Sequence, residues 1–259
     1  MTDIDAKSYY DDFSGWYERK RHHGYHAMLD DLELGIVRGL AGGREVLEVG
    51  CGTGLIMRGL DGRAKRLVGV DISPGMLAEA RRRGFEVLEG RAEKLPFADE
   101  SFDLAYSFKV LAHVPEIELA LREMARVLRP GGHLVAEFYN ALSLRRLAKR
   151  LGGPGKISDD RTEAEMFTRW DTPRQVMEDL PPGLVFEGWR GVRVLTPAAF
   201  VHNVPVVGGL VARAERAAMA PRSPASAASS SRSAARLEPG DGPSRHLAIL
   251  EPVGVSCAA

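Results

Sequence analysis

Three glycines, each separated from the next by one residue, follow a short apolar run near residue 50. Residues 46–49 (Val-Leu-Glu-Val) are typical of a buried strand, and Gly50, Gly52 and Gly54 come directly after them. A loop without Cβ atoms turns tightly and lets a ligand lie against the backbone, close to the N–H groups that open the next helix. The spacing therefore predicts a ligand-binding loop.

An aspartate ends the next apolar run. Residues 66–71 read Arg-Leu-Val-Gly-Val-Asp, so Asp71 stands at the carboxyl end of a predicted second strand. In a strand, loop, helix, strand unit, this position points into the crevice of the glycine loop, where a carboxylate accepts hydrogen bonds from two ribose hydroxyls. We therefore predict that Asp71 binds a ribose, whereas Ser73-Pro74 has the pattern of a helix N-cap.

The loop spacing discriminates between nucleotide ligands. A dinucleotide loop needs a third small residue where this chain has Leu55, and a phosphate-binding P-loop needs a Gly-Lys-Ser/Thr ending that is missing from this sequence. A nucleoside without phosphates fits the loop better than NAD or ATP.

The elements that must hold these residues alternate between strand and helix. Amphipathic helical patterns separate the apolar runs, which predicts a parallel sheet with helices packed against it. The predicted strands up to this point are 45–49, 66–71, 85–88, 104–108 and 133–139.

The rhythm changes after residue 140. A basic helix, a glycine-rich break and a polar stretch follow, which we interpret as an insertion over the site, residues 140–180. Residues 221–243 are dominated by Ser, Ala, Arg, Pro and Gly and predict a low-complexity loop, because they can bury little apolar area. Residues 246–250 again have the pattern of a strand.

The order of these motifs resembles the class I S-adenosylmethionine-dependent methyltransferases, in detail their small-molecule "type 11" group. The resemblance covers roughly residues 45–138 and implies a Rossmann-like α/β fold. Its sheet would have seven strands, mostly parallel, with helices on both faces and an antiparallel last strand near 246–250. The motifs that carry the resemblance are Val46 to Gly54, Val68 to Ser73, Gly90 to Phe97 with Phe102-Asp103, and Arg126 to Leu134.

The resemblance implies S-adenosylmethionine as the cofactor and a small molecule, methylated on O, N or C, as the acceptor. Glu48 and the glycines would surround the methionine part, and Ile72 would pack on the adenine. Many relatives carry Asp where this chain has Arg91, so the adenine amino group falls to the Ala92 backbone or Glu93. The implied cofactor-binding residues are Tyr17, Glu48, Gly50, Cys51, Gly52, Gly54, Asp71, Ile72, Met76, Ala92, Glu93 and Ser107.

Methyl transfer needs few catalytic side chains, because positioning and desolvation of the acceptor supply much of the acceleration. A hydroxyl acceptor still benefits from a base of near-neutral pKa. His113 follows the fourth predicted strand, where the resemblance places the reactive methyl group, and is our candidate for that base. The alternative is a structural histidine that bonds a backbone carbonyl.

The remaining candidates would contact the acceptor. Arg169 lies in the insertion beside aromatic residues, and a guanidinium facing the pocket would favour an acceptor with a carboxylate or phosphate group. Its alternative is a surface ion pair with Asp171 or Glu165. The candidate acceptor-binding residues are Tyr10, Lys109, Tyr139 and Arg169.

Residues 1–40 carry an aromatic cluster, Tyr9 to Tyr17, ahead of an amphipathic pattern. The rings either anchor a terminal helix to the body or belong to a lid in which Tyr10 or Tyr17 covers the cofactor. We predict an N-terminal helical lid, 1–40, and a methyltransferase domain, 41–259.

Composition excludes several classes of function. Lys plus Arg equal Asp plus Glu at 35 each, which argues against nucleic acid as a partner. The basic cluster Arg145, Arg146, Lys149 and Arg150 is interpreted as the solvated face of a helix. Two cysteines, Cys51 and Cys257, are too few for a disulfide framework or a zinc site, so we expect a cytoplasmic protein without a metal. No segment approaches the roughly 20 apolar residues that span a bilayer.

Two other functions stay open. The chain could be a non-catalytic S-adenosylmethionine-binding regulatory module, which would bind without turnover. A Rossmann oxidoreductase is disfavoured by Leu55. The sequence does not reveal the oligomeric state.

Overall fold

Strands and helices alternate through most of the described chain. The computed structural model describes residues 25–152, 167–192, 209–211, 213–214 and 245–251. The strands are β1 (Glu45–Val49), β2 (Arg66–Asp71), β3 (Glu86–Glu89), β4 (Phe102–Ser107), β5 (Leu128–Glu137), β6 (Leu184–Gly191) and β7 (Arg245–Glu251). The helices are α1 (Tyr25–Ala41), α2 (Leu55–Arg58), α3 (Pro74–Arg82), α4 (Ile117–Arg126), α5 (Leu144–Gly152) and α6 (Pro173–Glu178), with a 3₁₀ turn at Leu111–His113.

The seven strands form one sheet in the order β3-β2-β1-β4-β5-β7-β6. The order reverses between β1 and β4, and in open α/β sheets ligands bind outside the carboxyl ends of the strands at such a switch point. The glycine loop follows β1 at this point. The predicted fold class, an α/β protein with a Rossmann-like seven-stranded sheet, is confirmed.

The predicted direction of the last strand is wrong. β7 pairs parallel with both β5 and β6, with His133 opposite His246 and Leu184 opposite Arg245. An antiparallel neighbour needs only a short hairpin, whereas a parallel one needs a crossover of a dozen or more residues. Residues 192–244 separate β6 from β7 and supply that length. The predicted low-complexity loop, 221–243, falls within this connection and outside the described residues.

Alternate residues of the central strands are buried on opposite faces. Val46 packs in one apolar cluster with Leu29 and Val37 of α1. Leu47, the next residue, packs in another with Leu121 of α4. Because strand side chains alternate between the two faces, both faces of the sheet are covered, as parallel sheets require. Residues 25–40 of the predicted lid are therefore part of the body, and the lid stays a prediction for residues 1–24, which lie outside the described chain.

Two helices begin with side-chain caps, and the first of these caps, at Ser73, was predicted from the sequence. Ser73 caps α3 by accepting a hydrogen bond from the amide of Met76, and Pro74 follows in the first turn. Thr172 and Gln175 form a capping box at α6. Within the described ranges, none of the helices has the length and apolar character that crossing a bilayer demands.

Candidate functional site

The three glycines of the loop have different reasons for being glycine. All three have positive φ, at 78° for Gly50, 53° for Gly52 and 78° for Gly54. A Cβ at Gly50 would lie 2.2 Å from a methyl group of Val110, and one at Gly54 would lie 2.8 Å from the ring of Phe85. A Cβ at Gly52 would meet nothing within 4 Å. Gly50 and Gly54 thus allow close packing, whereas Gly52 presents bare backbone to open space.

The amides of the loop are largely used within the protein. The N–H groups of Gly50 and Cys51 donate to the carbonyl of Val70, at 2.7 and 3.0 Å, and that of Gly54 donates to Cys51. The amide of Gly52 donates to the carboxylate of Asp71. A loop that cradles phosphate must instead offer its amides to the ligand. This loop shapes a ligand cleft without supplying the donors that a pyrophosphate requires.

Two acidic side chains flank the glycine loop. Asp71 accepts hydrogen bonds from the amides of Gly52 (2.8 Å) and Ser73 (3.0 Å), which fixes its carboxylate beside the loop. Glu48 is buried in β1 and accepts a 2.9 Å hydrogen bond from the hydroxyl of Tyr106. The cleft next to Gly52 is therefore acidic.

Tyr106 was missed by the sequence analysis. It is fully buried in β4, and burial followed by the charge of Glu48 raises the pKa of its phenol well above the usual value. The phenol therefore stays protonated and remains a donor to Glu48. Only the pairing of β1 with β4, which sets Glu48 opposite Tyr106, brings the two together.

Cys51 and Thr53, the residues on either side of Gly52, are both buried. Cys51 is buried, and burial, then the charges of Glu48 and Asp71, raises the pKa of its thiol well above the usual value. Gly69 of β2 makes room for it, because a Cβ there would lie 2.6 Å from the sulfur. Among the described residues, Thr53 has a buried hydroxyl for which the structure gives no hydrogen-bond partner. The residues lining this cleft are Glu48, Gly50, Cys51, Gly52, Thr53, Leu55, Ile56, Phe108 and Lys109.

The segment predicted to border an adenine starts beside Asp71, where the amide of Gly90 donates to the Asp71 carbonyl. Ala92 is buried in this segment, and the half-buried carboxylate of Glu93 pairs with Arg91. Ile72 lies half-buried just after β2, and Met76 is buried in α3. These predicted cofactor-binding residues are thus grouped near the ends of β2 and β3.

Arg126 clamps this segment onto α4. Its guanidinium donates to the carbonyls of Leu95 (3.2 Å) and Phe97 (2.8 Å) and pairs with Asp99 and Glu123. Glu123 in turn accepts from the amide of Leu95. The hydrogen bonds from Arg126 to Glu123 and, to a smaller extent, to Asp99 raise the pKa of Arg126. In the sequence this arginine stands out only as part of a motif, and its role becomes visible only in the folded chain.

The chain after β4 touches the glycine loop through Val110, which fills the space left by Gly50. Ser107 is buried at the end of β4, and its hydroxyl donates to the carbonyl of Val49. Lys109 has a positive φ of 62°, its amide donates to Glu137, and its ammonium lies 2.6 Å from acids of α1, Asp30 and Glu33. The ammonium is therefore turned toward α1, and contact between Lys109 and an acceptor stays a prediction.

His113 lies in the 3₁₀ turn that follows, with its Nδ1 2.9 Å from the carbonyl of Phe167. A carbonyl can only accept, so this bond places the proton on Nδ1 and leaves the lone pair of the neutral ring on Nε2. Burial, together with the positive charges of Arg145 and Lys149, lowers the pKa of His113 below its ordinary value. The hydrogen bond to the Phe167 carbonyl acts in the opposite direction and raises this pKa, but less than burial lowers it. His113 can therefore anchor a backbone carbonyl and still serve as a base.

Aromatic rings connect His113 to the insertion. The ring of Tyr139 meets that of His113 edge-on at 5.9 Å and lies 5.5 Å from the ring of Trp170. Trp170 is held there because the next residue, Asp171, is bonded to the chain that follows β5. The amide of Asp171 donates to the Tyr139 carbonyl, and Asn140 and Asp171 form an isolated parallel β-bridge. Tyr139 is thus brought into the same neighbourhood as His113.

Arg169 forms the ion pair that was its alternative interpretation. Its guanidinium binds Asp171 at 2.7 Å and, in addition, Asp179 at 2.8 Å. It lines a separate surface groove with residues of α4 and the turn before it. Two acids neutralise this arginine, so its role in binding an acidic acceptor stays a prediction that the ion pairs disfavour.

Tyr10 and Tyr17 lie outside the described residues, so their predicted contacts stay predictions. In the described ranges, His, Cys, Asp and Glu side chains form no group that could hold a metal ion.

Comparisons with known proteins agree with the geometry. Residues 47–136 match the family model Methyltransf_11, a methyltransferase domain. Malonyl-[acyl-carrier protein] O-methyltransferase of Serratia marcescens is 37% identical over 107 residues, 40% of this chain and 42% of that protein. Demethylmenaquinone methyltransferase of Tropheryma whipplei (strain Twist) is 43% identical over 145 residues, 50% of this chain and 59% of that protein. The chain spans about half the length of the curated relatives that it matches.

Among solved structures, an S-adenosylmethionine-dependent methyltransferase from Thermotoga maritima is 28% identical with a TM-score of 0.52, covering 66% of this chain and 77% of that one. Residues 47–136 are therefore a methyltransferase domain of the Methyltransf_11 family. The family predicted from the order of the motifs is confirmed. The matched segment ends at Ala136, just before Tyr139 and the insertion.

Proposed function

We propose that this chain is an S-adenosylmethionine-dependent methyltransferase that transfers a methyl group to a small-molecule acceptor. One observation carries the proposal: Gly52 presents open backbone between two acids while four loop amides are engaged within the protein. The methyltransferase domain at residues 47–136 supports it, and so do the relatives, which are themselves methyltransferases by name.

The residues present fit this cofactor. S-adenosylmethionine carries a ribose without phosphates and a methyl group on a positively charged sulfur, from which a nucleophile can take the methyl. Asp71 would accept from the ribose hydroxyls, and Glu48 would offset positive charge in the methionine part. Thr53, whose hydroxyl is buried, lines the same cleft. Residues 90–97, clamped by Arg126, would border the adenine.

His113 is proposed as the base that receives the acceptor's proton. Its Nε2 carries the lone pair when Nδ1 donates to Phe167, and its lowered pKa keeps the ring neutral at pH 7. Its turn begins directly after Val110, which packs against Gly50. The base is thus tied to the loop that would hold the cofactor.

Calorimetry separates this proposal from its rivals. We expect S-adenosylmethionine and S-adenosylhomocysteine to bind with micromolar affinity and NADH not to bind, because the loop amides cannot serve a pyrophosphate. Transfer of a labelled methyl group to a member of a small-molecule panel then distinguishes an enzyme from a binding module. Tight binding of NADH would overturn the cofactor assignment, and binding without turnover across the panel would favour a regulatory module.

A further inference from the structure

Three cationic side chains of α5 surround one tryptophan. The guanidinium carbons of Arg145 and Arg146 lie 5.8 and 5.7 Å from the centre of the Trp170 ring, and the ammonium of Lys149 lies 5.7 Å from it. Arg145 also lies 4.7 Å from the ring of Tyr139. All three cations are half-buried. The interpretation of this cluster as a solvated helix face is therefore wrong for these three residues, because the face is turned toward the aromatic rings.

Helix α5 turns leucines toward solvent and cations toward the protein, which is the reverse of the orientation that burial of apolar side chains favours. Leu147 and Leu151, on the other side of the helix, are 53% and 81% exposed. An amphipathic helix on a protein surface ordinarily turns its leucines inward. Hydrophobic packing thus does not explain why the arginines face Trp170 and Tyr139, and a cation–π contact contributes only about 0.5–1 kcal/mol at an exposed site.

The cationic cluster is adjacent to the proposed base. Tyr139, which Arg145 covers, meets the ring of His113 edge-on. The positive charges of Arg145 and Lys149 act directly on His113. An acceptor whose reacting atom lies near His113 would therefore have these cations within reach of its other end.

Arg145 and Arg146 also differ from Arg169 in their partners. Asp171 and Asp179 neutralise Arg169. In the part of the chain that the structure describes, Arg145 and Arg146 contact rings and form no ion pair with an acid. A guanidinium held over a ring by a cation–π contact still has N–H groups that can bind a carboxylate or phosphate in bidentate geometry.

We propose that Arg145 and Arg146, held on the rings of Tyr139 and Trp170, form the site that recognises the acceptor, and that the acceptor carries a small oxyanion, a carboxylate or a phosphate. This inference rests on the proposed function, since it names the substrate class of the same site. The anion binds the two guanidinium groups, and the atom to be methylated extends toward His113.

The test measures binding rather than turnover. Protein saturated with S-adenosylhomocysteine is titrated by calorimetry with benzoate, phenyl phosphate and, as the neutral counterpart, benzamide. We expect at least one anion to bind about 10-fold or more tightly than benzamide, and more weakly as salt rises. The better anion identifies the oxyanion. The double substitution Arg145→Gln with Arg146→Gln should weaken anion binding about 10- to 100-fold and leave the affinity for S-adenosylhomocysteine unchanged.

Arg150→Gln is the matched control, because it removes an arginine from the same helix at an exposed position. It should leave anion binding unchanged. Equal binding of benzamide and both anions, no binding of any probe, or an equal loss in Arg150→Gln and the double variant would overturn the inference. Failure of the proposed function is a separate result: either S-adenosylhomocysteine itself does not bind, or no member of the small-molecule panel is methylated.

Discussion

The two ends of the candidate site are built in opposite ways. At the glycine loop, residues close in sequence are fixed by backbone hydrogen bonds, and the charged side chains, Glu48 and Asp71, are acidic. Beyond β5, residues far apart in sequence meet through aromatic rings, and the charged side chains, Arg145 and Arg146, are basic. The first end suits a cationic donor of fixed structure, and the second suits a variable, anionic acceptor.

The family match follows the same division. It covers β1 through most of β5 and ends at Ala136, before Tyr139, α5 and Trp170. His113 belongs to the matched segment, but the two residues that contact its imidazole do not: Phe167 through its carbonyl and Tyr139 through its ring. The donor end therefore carries what the family shares, whereas the acceptor end must be inferred from this chain's own contacts. Substitutions at each end, and at the link between them, test this division.

The largest effect is expected at His113. His113→Asn should lower kcat for a hydroxyl acceptor by about 10²-fold or more, because asparagine keeps an N–H for the Phe167 carbonyl but has no base in place of Nε2. The affinity for S-adenosylmethionine should stay unchanged. Steady-state kinetics and calorimetry measure the two quantities.

His113→Ala is the companion variant, because it removes both the base and the bond to Phe167. If the histidine were only structural, His113→Asn would remain active and only His113→Ala would fail. A thermal melt of each variant shows whether lost activity reflects lost folding.

Gly52→Leu tests the donor end. The side chain would fill the open space beside the loop, so the affinity for S-adenosylmethionine should fall by about 100-fold. Gly62→Leu is matched in backbone strain, because Gly62 also has a positive φ (69°) and open space around it, but it lies outside the cleft. Calorimetry should show full binding in Gly62→Leu. Similar binding by the two variants would contradict the donor assignment.

Asp71→Asn should weaken cofactor binding by about 10-fold, because a neutral amide loses the charge-assisted bonds to the ribose and one of its two bonds from the backbone amides of Gly52 and Ser73. Asp103→Asn is the control. Asp103, in β4, also accepts a 2.8 Å hydrogen bond from a backbone amide, that of Glu45, but this contact lies at the opposite end of β1 from the glycine loop. A loss of affinity in both variants would point to general destabilisation instead of a ribose contact.

The donor end could be predicted from the sequence because its signals are local. The glycine spacing and Asp71 at a strand end lie within one strand, loop, helix, strand unit, and periodicity places that unit reliably. What the sequence could not show is that Val110 and Phe85 dictate two of the three glycines, or that Tyr106 holds Glu48. Those contacts arise only when separate strands pair.

The acceptor end could not be predicted for two physical reasons. Asp179, the second acid that neutralises Arg169, lies ten residues further along the sequence and meets the arginine only in the folded chain. The exposed side of α5 was assigned by the usual rule that cations face solvent, and the structure turns them inward. The direction of β7 likewise has no local signal, because parallel and antiparallel strands share one side-chain period.

The smallest expected effect links the two ends through the pH dependence of kcat/KM. The base must be neutral, so activity falls as the pH drops through the pKa of His113, which lies below the ordinary value because of burial and then the positive charges of Arg145 and Lys149. Arg145→Gln removes one of these charges and should raise that pKa, which moves the acid limb to higher pH. Arg146→Gln is the control, because Arg146 flanks the same tryptophan but is not among the charges that shift His113. An acid limb that stays in place in Arg145→Gln, or moves equally in both variants, would show that the cationic cluster and the base are not coupled.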